Sequence, residues 1–166
     1  MRILSKVLLT ILFFCIMVIA SFAQEKKMEF AVTTGFARRA AIEQFGGTGK
    51  GFHIGANMYK RNAERFTSDV QLSLNFINLD NSLTNVLAIN ALYGVRYYFS
   101  KPENDTRFFL SVLIGPAFKN ESGDDYIESI LDFGYAGGLF VESNKFVFGA
   151  SLDAPQNLIF KIGYTF

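Results

Sequence analysis

From residue 29 onward, apolar and polar residues alternate with a period of two, in stretches of about ten residues separated by turn chemistry. The first stretch, Glu29–Arg38, sets Phe30, Val32, Thr34 and Phe36 against Glu29, Ala31, Thr33, Gly35 and Ala37. Gly51–Lys60 follows, with Phe52, Ile54, Ala56 and Met58 opposite His53, Gly55, Asn57 and Tyr59. The alternation is clearest in Phe66–Leu79, where Val70, Leu72, Leu74 and Phe76 oppose Asp69, Gln71, Ser73 and Asn75. Val86–Phe99, Arg107–Phe118, Ile130–Val141, Phe146–Asp153 and Leu158–Phe166 complete a set of eight. No stretch after the first 23 residues carries a 3.6-residue apolar stripe. The pattern predicts an all-β protein.

The fifth stretch, Arg107–Phe118, is nearly all apolar, so its faces are weakly specified: Phe108, Leu110, Val112 and Ile114 against Phe109, Ser111, Leu113 and Gly115. Connections after strands two, four and six are short and polar, at 61–65, 100–105 and 142–145. The others include the longer segments Arg38–Lys50 and Lys119–Glu128. An even-stranded up-and-down meander fits these lengths, closed into a barrel so that no strand edge is left unpaired.

A soluble barrel would turn the bulky face inward, whereas a membrane barrel turns it to lipid. The opposite face is mostly glycine, alanine, serine and asparagine, which suits a narrow eight-stranded interior. Aromatics on the bulky face recur near strand ends. Phe30, Phe66, Tyr97, Phe99, Phe108, Phe146, Tyr164 and Phe166 fall toward the rim holding both chain ends, and Phe36, Phe52, Phe76, Phe133 and Phe160 toward the other. Two aromatic girdles flanking an aliphatic band mark a lipid-facing surface. The expected fold is a transmembrane eight-stranded antiparallel up-and-down β-barrel.

Export is expected from the first residues. Arg2 and Lys6 precede an apolar run, Val7–Ala20, and Ser21-Phe22-Ala23 presents small residues for cleavage. That run is too short to span a membrane as a helix, which takes about 20 residues. We expect residues 1–23 to be a cleaved signal peptide and 24–166 the barrel domain. Cys15 would leave with the signal, excluding disulfide chemistry from the remainder. The formal charge of +1 becomes −1 without Arg2 and Lys6, so no nucleic-acid partner is expected.

The alternating ending Phe160, Ile162, Tyr164 and Phe166, with the signal segment and eight strands, resembles the small outer-membrane barrels of Gram-negative bacteria, the OmpA/OmpX/OmpW-like superfamily. The resemblance covers everything after the signal. It implies an outer-membrane location, contact with lipid and lipopolysaccharide, and a signal at those four residues read by the barrel-assembly machinery. Fold and location follow from it far more strongly than activity.

His53, the one histidine, falls on the interior face, as a hydrogen-bonded lumen residue. A lipid-modifying enzyme of this class would pair it with a hydroxyl nucleophile within hydrogen-bond reach. Its own strand supplies no serine. The glycine-rich Phe45–Gly51 lacks phosphate-loop spacing, because Gln44 and Gly51 stand where glycine and Ser or Thr are required. Glu121, Asp124, Asp125 and Glu128 read as a solvated charged loop, with a divalent ion or cation-bridged lipopolysaccharide the weaker alternative. No catalytic, cofactor or metal residue is assigned.

The interior face also carries charge: Glu29, Asp69, Asp132 and Asp153 with Arg96 and Lys161. Enclosed charges need partners, so a pairing network around Arg96 and Lys161 is expected. A non-enzymatic scaffold presenting surface loops for structural, adhesive or ligand contact is the leading expectation. A narrow channel for small solutes is second, and a lipid-modifying enzyme third.

Overall fold

A computed structural model describes residues 28–39, 48–61, 65–80, 84–101, 104–122, 127–154 and 157–166. Eight antiparallel strands close in sequence order: β1 (Met28–Arg39), β2 (Gly49–Arg61), β3 (Phe66–Leu79), β4 (Asn85–Tyr98), β5 (Thr106–Ser122), β6 (Ile127–Ser143), β7 (Phe146–Asp153) and β8 (Asn157–Thr165). The expected signal segment and most of the 38–50 connection lie outside the described residues.

Closure runs from Ala31↔Thr165 to Arg39↔Asn157, and the Phe166 N–H donates to the Phe30 carbonyl at 2.7 Å. We call the rim holding Met28 and Phe166 the lower rim and the opposite one the upper rim. At the lower rim β6 passes to β7 through Asn144 and Lys145, both with positive φ (47° and 71°). A two-residue hairpin loop with that handedness matches the twist of its flanking strands.

Parity places side chains as the alternation implies. Outward residues such as Val32, Ile54, Leu72, Val112 and Ile162 are exposed, while Thr33, His53, Ser73, Ser111 and Lys161 are buried. Among the described residues Met58 is the exception: outward by parity, it is covered to 5% exposure. The ambiguous strand β5 turns Phe109, Ser111 and Leu113 inward and Phe108, Leu110, Val112 and Ile114 outward. Hydrogen-bonded pairing to β4 and β6 sets that choice.

Ring contacts mark both girdles. Near the lower rim Phe66, Tyr97 and Phe99 pack in series at 5.1 and 5.3 Å, and Phe146, Tyr164 and Phe166 do so at 5.3 Å each. Toward the upper rim Phe160, Phe36, Phe52 and Phe76 stand directly opposite one another across β8, β1, β2 and β3. This exterior is that of a membrane-spanning barrel.

Two features depart from the sequence expectation. The interior is not confined to small and polar groups: Tyr98, Phe109, Phe140 and Val147 pack low in the barrel, and Ala37, Ile77, Val86 and Ile159 pack high. The expected loop Lys119–Glu128 is largely strand, since Lys119–Ser122 pairs residue by residue with Ile127–Ile130. β5 and β6 are the longest strands, at 17 residues each, whereas β7 has only 8. The barrel wall is therefore tall on one side and low on the other.

Candidate functional site

Six of the interior charges form three pairs at different heights. Arg96 on β4 donates from Nε to Asp69 Oδ2 on the adjacent β3 at 2.6 Å, both side chains being almost fully enclosed. Asn57 Nδ2 donates to both oxygens of the same carboxylate, at 3.1 and 3.3 Å. The Arg96 guanidinium lies 3.9 Å from the Tyr59 ring centroid and 5.0 Å from that of Phe109. A planar, weakly hydrated cation is suited to such sandwiching, so aromatic faces and a carboxylate together replace the water it has lost.

Above this pair, Lys161 on β8 reaches Asp153 on β7 at 3.0 Å, and Ser151 Oγ donates to the other oxygen at 2.6 Å. Below it, Arg107 Nη2 donates to Glu142 Oε1 at 2.6 Å while Tyr98 OH donates to Oε2 at 3.2 Å. Sequence reasoning did not assign this third pair, because Arg107 opens its strand and Glu142 was placed in a turn. Their spacing from Phe109 and Phe140, two residues in each case, carries the signal: all four share the inward parity.

His53 is fully enclosed in a chain of hydrogen bonds across three strands. Its Nε2 lies 3.2 Å from Thr33 Oγ1 and its Nδ1 2.7 Å from Asn75 Oδ1. Gly55 makes room for the ring, since a Cβ there would stand 2.9 Å from Nε2 and 2.7 Å from Thr33 Oγ1. Hydroxyl, imidazole and amide in series match a nucleophile–base–orienter arrangement in connectivity. All three groups are buried, at 6%, 0% and 0% exposure, and Thr33 borders the same small void as Arg96 and Asp69.

Asp132 departs from the expected network. It has inward parity on β6 but is exposed at the upper mouth, where it accepts from the Phe133 N–H at 2.7 Å. The reason is the low wall opposite: β7 ends before it reaches the height of Asp132. Glu29 sits half-buried near the lower rim, level with Tyr59. In the acidic segment, Glu121 accepts from Lys119 Nζ at 2.6 Å, Glu128 is exposed, and Asp124 and Asp125 lie outside the described residues. Among the described residues no cluster of His, Cys, Asp and Glu is arranged to hold a metal.

Phe160, Ile162 and Tyr164 are outward and exposed on β8, and Phe166 extends their row. Two spaces accompany these groups. A void of about 20 Å³ lies beside Arg96, Asp69 and Ser111, room for about one water. A cavity of about 300 Å³ opens at the upper mouth.

No protein-family model matches the chain, and no curated protein matches it in sequence. Solved structures do match. Ail, the attachment invasion locus protein of Yersinia pestis, is 15% identical with a TM-score of 0.55, the match covering 84% of this chain and 99% of that one. Neisserial surface protein A is 10% identical with a TM-score of 0.60, covering 83% and 95%. The outer membrane enzyme PagL is 14% identical with a TM-score of 0.51, covering 82% and 97%. The chain has the fold of the small eight-stranded outer-membrane barrels.

Proposed function

We propose that the protein is a closed, non-enzymatic scaffold of the outer membrane that presents its tall β5–β6 hairpin and neighbouring upper connections for structural, adhesive or ligand contact. The filled interior carries this reading. Three ion pairs and two apolar layers occupy the barrel along its length, and the space beside the central pair is water-sized. Eight strands leave an interior that side chains can fill, and here bulky ones do so.

The same enclosure supports a non-enzymatic role, since all three members of the Thr33–His53–Asn75 chain are buried beside a void the size of one water. Ail, whose name records attachment, has this fold, so contact through the upper connections is compatible with the architecture. Lipopolysaccharide around the upper rim, the barrel-assembly machinery during biogenesis and a cleaved export signal complete the proposal.

Planar-bilayer recording of purified protein tests it: absence of stable, large conductance is expected, and such conductance would replace the scaffold by a channel. Mass spectrometry of lipid A from cells with and without the gene tests the enzymatic alternative. A chain-length or acylation difference would overturn the non-enzymatic reading.

A further inference from the structure

Arg38 and Lys50 stand directly opposite one another on β1 and β2, and both are exposed with outward parity. They belong to a row that runs Leu158, Arg38, Lys50, Asn78 and Asn85 from β8 to β4, each directly opposite the next. Two residues nearer the lower rim on every one of these strands runs the row Phe160, Phe36, Phe52, Phe76 and Leu87. The two cations therefore stand where the apolar exterior ends. Girdle aromatics sit at headgroup level, so the long side chains just above them reach the lipid phosphates.

Among the described residues no acid answers this charge. The ion pairs engage Arg96, Arg107, Lys119 and Lys161, and leave out both Arg38 and Lys50. Asp80 lies past the end of β3, its N–H on the Thr48 carbonyl at 2.8 Å, and pairs with neither cation. Other outward positions at the top of the wall are uncharged, including Phe118, Asn120 and Ser122 on β5, Leu131 and Phe133 on β6, and Leu152 on β7. Directly opposite residues have Cβ atoms about 4.5–5.5 Å apart, and like charges so placed destabilise a sheet. The pair weakens the fold unless an anion lies between the two heads.

We propose that Arg38 and Lys50 together hold the phosphate of a membrane lipid, and that they favour a phosphomonoester over a phosphodiester. The inference rests on the proposed function, in which the upper rim meets the lipid of the outer membrane. A phosphodiester brings one negative charge. A phosphomonoester brings about 1.5–2 near neutral pH, because its second pKa is about 6. Two adjoining cations match the latter. Arg38 takes two oxygens through its planar fork, and Lys50 adds a compact charge. A phosphate carried on a lipid is favoured over one from water, because its acyl chains lie against Phe36 and Phe52 directly below.

Native mass spectrometry of the full barrel, released from micelles carrying equal amounts of phosphatidic acid and phosphatidylglycerol, tests the proposal. Phosphatidic acid, the monoester, should be retained about fivefold or more over the diester. One cation at a charged lipid surface is worth about fivefold in affinity, so Arg38→Gln and Lys50→Gln should each lower its retention by that factor. The double variant should retain both lipids equally. Lys101→Gln, at the lower rim, controls for net charge and should leave the preference unchanged. Heat-modifiable gel migration shows that each variant is folded. Equal retention of the two lipids by the unaltered barrel overturns the proposal, and so does a preference that survives in the double variant. Displacement of phosphatidic acid by glycerol 3-phosphate would assign the site to a soluble phosphate and overturn it as well. None of these results depends on conductance or on lipid A chemistry, so the scaffold reading stands or falls separately.

Discussion

Removing Asp69 tests how the interior is held together. Arg96 is 3% exposed, and its described carboxylate partner is Asp69, at 2.6 Å. At an effective dielectric of about 20, unit charges this close attract by roughly 6 kcal/mol, a gain set against desolvation costs of several kcal/mol per ion. The net worth of the pair is small, but breaking it is expensive. Asp69→Leu strands a buried guanidinium and removes the acceptor of Asn57, so a loss of about 3–5 kcal/mol is expected. The adjoining 20 Å³ void admits water, which favours the lower end of that range.

Arg96→Met in the same background removes the stranded charge. The double variant should recover to within about 1–2 kcal/mol of the original, the residue being the lost contact with Tyr59 and Phe109 and the unpaired Asn57 amide. Urea titration of barrels in lipid vesicles, with the folded fraction read from unheated gel migration, measures the original, both single variants and the double one. Losses that add to within about 0.5 kcal/mol would show that the two side chains do not act as a pair. A cost below about 1 kcal/mol for Asp69→Leu would refute the enclosed-charge picture.

Three further outcomes are expected. Lys145→Gly relieves a left-handed backbone in the β6–β7 turn and should raise stability by about 1 kcal/mol in the same titration. Phe109→Ala removes the ring stacked 5.2 Å from Phe140 and 5.1 Å from Tyr98. It should cost roughly 3–5 kcal/mol and enlarge the void beside Arg96, with small conductance appearing in bilayers if this layer seals the lower half. Deleting Phe166 removes the N–H that bonds Phe30 and the ring against Tyr164. Surface yield should fall by more than the equilibrium stability change predicts, and normal yield would remove the assembly-signal reading of Phe160, Ile162, Tyr164 and Phe166.

Much of the interior is legible from parity because a strand sends successive side chains to opposite faces. Counting by two from His53 reaches Asn57 and Tyr59, and counting from Asp69 reaches Gln71 and Asn75; all six are enclosed. Parity does not say which residues of different strands meet. That His53 lies between Thr33 and Asn75, or that Arg96 selects Asp69, depends on the stagger of neighbouring strands. The pair Arg107 and Glu142 went unassigned for a related reason: residues near turn chemistry read as solvated, although both strands continue past them with inward side chains.

Strand number, strand order and the lipid-facing belt are properties of the sequence, since each follows from local alternation and turn spacing within about ten residues. The heights of the strands are not. Lys119–Ser122 and Ile127–Glu128 look like a charged loop until they are seen to pair within one hairpin, and β7 stops at Asp153 while its neighbour runs on. Hydrogen bonding between chain segments decides where a strand ends, and that depends on the partner as much as on the strand itself. The tertiary structure therefore turned one expected lumen charge, Asp132, into an exposed residue of the upper mouth, bordering a cavity with Ala88, Ala117 and Ala154.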